Sequence, residues 1–148
     1  MEIVKNSIKS LEFSEVLEKL ASFAKLNQSK LLCINLNPFV QAEEIKQQLK
    51  LTAEAKSILD NALDLPLDYV AEIEDIKKSI EKSYLNEQEI LDTAKTIRTS
   101  RLVKNFLKEN TQSDWHMKSL AVNLFANKEL EDRIFDIFDN NLSIKKCR

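Results

Sequence analysis

Residues 86–109 read NEQEILDTAKTIRTSRLVKNFLKE. Asn86 followed three residues later by Glu89 is the pattern of a capping box, with asparagine in place of Ser or Thr. In that box the first side chain accepts from a backbone N–H of the opening turn and the glutamate reaches back. The pattern predicts a helix that opens at Asn86 and runs to about Glu109. At about 100° per residue, Ile90, Ala94 and Ile97 share a face in its first half. In the second half the same face carries Arg101, Lys104 and Lys108, with Arg98 beside it, while Leu102, Val103, Phe106 and Leu107 lie opposite. The buried side is therefore expected to move round the helix midway. One end packs on one set of neighbours, and the other packs differently and shows a basic stripe.

Helical spacing continues on either side of this segment. Phe13, Leu17, Leu20 and Ala24 form a stripe on a helix that Ser14 is placed to cap. A second helix is expected from about Gln28 to Asn35, ended by Asn37-Pro38, because the residue before proline is pushed out of the helical region. A third should run from about Gln41 to Leu63, with Ala42, Ile45, Leu49, Thr52, Ala55, Leu59 and Ala62 as its buried seam. Asp64-Leu65-Pro66-Leu67-Asp68 is the clearest break. Ile73, Ile76 and Ile80 mark a short helix ending near Tyr84. Ser113-Asp114 is read as the cap of a sixth segment containing Leu120, Ala121 and Leu124, and Asn127 as the cap of a seventh with Leu130, Ile134 and Ile137 on one face. No stretch shows sustained period-two alternation. The expected fold is all-α, about seven helices in one domain spanning residues 1–148, with short linkers and few or no strands.

Composition removes most classes of site. The chain has 148 residues, 22 basic and 24 acidic, for a net charge of −2, and it contains no glycine. A phosphate-cradling loop, a dinucleotide fingerprint and a nucleophile elbow each need glycine where backbone approaches a ligand. Two cysteines, Cys33 and Cys147, and one histidine, His116, support neither a disulfide framework nor a metal cluster. With 43% hydrophobic and 31% charged residues the chain is globular rather than disordered. Its longest apolar runs are too short to cross a membrane, and its N-terminus lacks the apolar stretch of a signal peptide, so a cytoplasmic setting is expected.

Each candidate site has a plainer rival. Glu43-Glu44 and Glu72, Glu74, Asp75 fall in first turns of helices, where negative charge meets the helix dipole favourably. Cys33 among Leu31, Leu32 and Ile34 reads as a small buried residue, with a thiol–imidazole pair to His116 as a distant alternative. Trp115-His116 reads as local packing before partner binding. The stripe Arg98, Arg101, Lys104 and Lys108 has two readings: a solvated face whose alkyl stems lie over apolar surface, or contact with nucleic-acid phosphates. The last helix carries Leu130, Ile134, Phe135, Ile137 and Phe138 on more than one side, which predicts an interaction surface.

The order of motifs also resembles a known family. Leu11-Glu12-Phe13, Leu20-Ala21-Ser22-Phe23-Ala24, Leu36 and Pro38 are similar to the opening of the bacterial MutS-two subfamily, relatives of the mismatch-repair MutS proteins that lack the mismatch-reading domain. The likeness continues through Thr52, Glu54-Ala55, Ile58-Leu59, Pro66-Leu67 and Asp75-Ile76. It is clearest at Leu85, Glu89-Ile90-Leu91, Ile97-Arg98, Arg101-Leu102, Lys104 and Phe106-Leu107, followed by Leu130-Glu131, Ile134 and Ile137. Glycines usual in the family, at Ser29, before Leu85 and near Asn141, are replaced here. The resemblance implies a parent protein that uses ATP and Mg through a Walker-type domain, embraces branched or mismatched DNA, suppresses recombination and acts on collided ribosomes. It implies for this chain no cofactor of its own and a non-catalytic place in the helical core and lever region, as a piece of a longer protein whose ATPase, clamp and nuclease domains lie elsewhere. Its expected partners are the remainder of the parent or a homodimer partner, with DNA or the ribosome reached through the parent. The rival is a free-standing helical adaptor that binds another protein in an apolar groove.

Overall fold

The computed structural model describes residues 11–61, 64–81 and 84–138. Ala62, Asn141 and Cys147, and the side chains of Ile73, Asp75 and Ile76, lie outside the described residues. The described chain is all-helical: α1 (Phe13–Ser22), α2 (Asn27–Ile34), α3 (Ala42–Asp60), α4 (Ile73–Glu81), α5 (Glu87–Asn110), α6 (His116–Val122) and α7 (Lys128–Ile137). No extended strand occurs among the described residues, and no described helix is long and apolar enough to cross a membrane.

The chain divides into two compact units, one up to Val40 and one from Gln41. In the first, α1 packs on α2, and Leu17 and Ala21, four residues apart on one face, are the buried residues of α1. Ser14 does not cap α1. The helix starts one residue before it, and Glu12, at φ 51°, takes the cap position without a side-chain hydrogen bond.

In the second unit α5 is the common neighbour of α4, α6 and α7, and α3 packs on α6. Its opening is the box read from the sequence: Asn86 Oδ1 accepts from Glu89 N–H at 2.9 Å, and Glu89 Oε2 accepts from Asn86 N–H at 2.8 Å. Asn86→Ala removes one half of this reciprocal cap. It should lower stability by about 1 kcal/mol, readable in a urea titration. The buried side of α5 does move round the helix, from Leu91, Ala94 and Ile97 to Val103 and Leu107. Val103 and Leu107 join Ile58 of α3 and Ala121 of α6 in one core cluster, with Leu65, Leu67, Phe106, Trp115, Met117 and Leu124 packed around it.

The segment through Pro66 runs without helix along α5, and its backbone donors find hydroxyls there. Thr99 Oγ1 accepts from Tyr69 N–H at 3.3 Å, and Thr96 Oγ1 accepts from Ala71 N–H at 3.0 Å. Buried or half-buried amides cost free energy when left unpaired, so these two threonines fix where the segment crosses the helix.

The seam expected on α3 is not its buried side. Leu49 and Leu59 are each 63% exposed, and Ile45 and Thr52 are exposed with them. The residues facing inward are Glu54 and Ile58, roughly opposite on the helical wheel. Periodicity locates an apolar stripe; which stripe is covered depends on the neighbour, here α6.

Candidate functional site

The basic face of α5 is turned toward α7 and the residues just before it. Arg98 and Arg101, three apart, project on one side of α5; Glu131 and Phe135, four apart, project on one side of α7. Arg98 Nε donates to Glu131 Oε1 at 2.8 Å. Arg101 donates from Nε to Oε2 at 2.8 Å and from a terminal nitrogen to Oε1 at 3.1 Å, a bidentate grip. The Arg98 guanidinium also lies over the Phe135 ring, 4.2 Å from its centroid. Glu131 is 1% exposed, against 20% for Arg101 and 48% for Arg98, so the acid is fully enclosed while the bases keep some water. The hydrogen bonds from Arg101 outweigh burial and, with the one from Arg98, hold the Glu131 carboxyl down at about 2. The Arg101 guanidinium is held upward in turn by the same hydrogen bond.

One turn further along α5, Lys104 Nζ donates to the carbonyls of Leu124 at 2.8 Å and Val122 at 3.3 Å. Ser100 Oγ donates to the Phe125 carbonyl at 2.6 Å. Lys104 thus places a positive charge on the carbonyl end of α6. The opposite end of α6 is held by α3. Glu54, 5% exposed, accepts from the N–H groups of Met117 at 2.9 Å and His116 at 3.0 Å, with His116 Nδ1 3.4 Å away. Burial pushes the Glu54 carboxyl up, but the amides of Met117 and His116 and the His116 ring together bring it below its ordinary value. The expected cap from Ser113-Asp114 is therefore supplied from another helix: α6 begins at His116 without a local side-chain cap.

The four basic residues have different fates. Arg101 and Lys104 are half-buried and joined to their own chain, which corrects the solvated-face reading for those two. Arg98 is shared between Glu131, Phe135 and water, and Lys108 is exposed. On α7 and its C-cap, Leu130 and Ile137 are exposed, Ile134 and Phe135 half-buried, and the cap residue Phe138 buried, so only the first two of the five offer open apolar surface. Asn127 caps α7 as expected, accepting from Leu130 N–H at 3.0 Å. Cys33 is half-buried on α2 in the first unit; His116 sits beside Glu54 in the second. Among the described residues no group of three His, Cys, Asp or Glu side chains is placed to hold a metal ion.

No family model matches the chain, and no solved structure matches it. Curated sequences do. The endonuclease MutS2 of Clostridium tetani is 30% identical over 134 residues, covering 88% of this chain. That of Alkaliphilus metalliredigens is 33% identical over 134 residues and 86% of the chain, and that of Clostridioides difficile 26% identical over 142 residues and 93%. The chain is a MutS2 relative. It spans only 17–18% of the length of these MutS2 proteins.

Two residues of the joints in this MutS2-related chain, Glu54 and Glu131, carry no signal in their local sequence. Each is one carboxylate among 24 acidic side chains. The available hint was positional: both lie within motifs that carry the MutS2 likeness, as do Arg98, Arg101 and Lys104.

Proposed function

We propose that the chain is a non-catalytic helical piece of a MutS2-like protein, acting in the cytoplasm as a rigid joint between other parts of that protein. The observation that carries this reading is the use made of its buried and half-buried charges. The polar ends of Glu54, Arg101, Lys104 and Glu131 are all directed at the chain's own helices and turns, where they fix relative positions. The similarity to MutS2, spread over most of the chain but a small share of each relative, supports the same reading.

On this reading, any ATP and Mg belong to the remainder of the parent, as does cleavage of nucleic acid. Branched or mismatched DNA, in repair and recombination, and ribosomal RNA, in ribosome quality control, are reached through that remainder or a homodimer partner. The exposed stripe of Ile45, Leu49 and Leu59 on α3 is surface for it to cover. The same stripe serves a free-standing adaptor equally well. Reading the genomic frame beyond the codon for Arg148 separates the two, since a Walker motif in frame supports the MutS2 reading.

The test is to assay the purified chain for ATP turnover and for nicking of branched DNA. Both should be absent; activity lost on His116→Ala or Cys33→Ser in a folded sample overturns the non-catalytic reading. Weak binding to branched DNA or ribosomal RNA at low salt would rest on Lys108, and Lys108→Gln should then reduce the salt slope by about one.

A further inference from the structure

A cleft of about 210 Å³ lies between the second half of α5 and α6, lined by Lys104, Lys108, Lys118, Ala121 and Val122. Three of its five lining residues are lysines, yet no polar atom is exposed on its wall. With no polar atom exposed on the wall, the lysines line it through their methylene stems, and the Lys104 ammonium is held by the carbonyls of Leu124 and Val122. No carboxylate lines the cleft. Among the described residues none of the three lysines is in an ion pair, although the chain as a whole has a net charge of −2. Val122 is 72% exposed, so the apolar wall of the cleft is open to a partner.

We propose that this cleft is a docking slot for an acidic peptide bearing an aliphatic or aromatic side chain between carboxylates. The apolar side chain enters against Ala121 and Val122, and the flanking carboxylates meet the ammonium groups of Lys108 and Lys118. Charge complementarity and the carbon wall together select this partner. An apolar pocket flanked by Lys108 and Lys118, neither in an ion pair among the described residues, gains from burying a hydrophobic anchor and from steering negative charge toward it. A nucleic acid is the poorer fit. Phosphate needs donors directed into the site, and bases need an aromatic platform, and no aromatic lines this slot.

The chain is titrated by fluorescence anisotropy with three probes: a labelled synthetic peptide with one leucine among aspartates and glutamates, its leucine-to-serine analogue, and oligothymidylate. The leucine peptide should bind, and the serine analogue about tenfold more weakly. Lys108→Glu and Lys118→Glu should each weaken the peptide about tenfold, as should raised salt. Val122→Ser should weaken it with every charge intact. Val122 and Lys108 are exposed and Lys118 is half-buried, so melting curves establish for each variant that the fold is kept. Lys108→Gln gives a milder replacement should reversal unfold the chain. Equal binding of the two peptides, or none, overturns the proposal. So does tighter oligothymidylate binding lost in the same variants, which makes the slot a phosphate site. Self-association abolished by Val122→Ser also overturns it and assigns the slot to a second copy.

Discussion

Glu131→Gln lowers the unfolding free energy of the chain by about 3 kcal/mol. The substitution keeps the shape of the side chain but leaves Arg101 and Arg98 around a neutral amide that can accept only from one oxygen. Breaking a buried ion pair typically costs about 3–5 kcal/mol, and the water retained by Arg98 places this one at the lower end. The wild-type acid sensitivity follows from the same contact. Glu131 titrates at about 2 in the folded chain against an ordinary 4.5, so its contribution is complete above about pH 4.5 and is lost as pH falls toward 2. Urea titrations across that window should show a steeper slope in the wild type than in Glu131→Gln, which keeps only the contribution of other carboxylates. A double-mutant cycle should give a larger coupling for Arg101 with Glu131 than for Arg98 with Glu131, because Arg101 is bidentate and less exposed. A Glu131→Gln protein within about 0.5 kcal/mol of the wild type, the ordinary range for a surface change, would show that the carboxylate is not held as described.

Glu54→Ala removes the acceptor of two α6 amides and should cost about 2–4 kcal/mol, since unpaired buried donors are penalised individually. The effect is local in its first appearance. Amide hydrogen exchange at His116 and Met117 should rise by about a hundredfold while the amides of α7 change little, because α7 is held to α5 through Glu131 instead. Uniform acceleration along the whole second unit would mean that α6 does not open separately. Since the Glu54 carboxyl is held below its ordinary value, this contribution too is present at neutral pH and lost on acidification.

The contrast between the two kinds of cap explains what could be read from the sequence. Asn86 with Glu89, and Asn127 with Leu130, are legible because donor and acceptor are three residues apart and helix geometry alone brings them together. Glu54 and His116 are separated by 62 residues, and only the packing of α3 on α6 makes them neighbours. Ser113-Asp114 had the right residue types for a cap and was passed over for a carboxylate that no local pattern marks. The α3 seam fails for the same reason. Apolar spacing places Ile45, Leu49 and Leu59 on one stripe, but the core forms on the side bearing Ile58. The basic stripe of α5 was visible as a stripe; its purpose depended on Glu131, which approaches from another helix.

The short helix α6 has one more consequence. Seven residues are too few to hold a helix in water, where nucleation alone is costly. What sustains this one is a carboxylate from α3 at its head and an ammonium from α5 at its tail. During folding it therefore has nothing to form on until both longer helices have assembled. It should be a late element that closes the second unit once its two anchors are in place, and pulsed hydrogen exchange during refolding should protect the His116 and Met117 amides after those of α5.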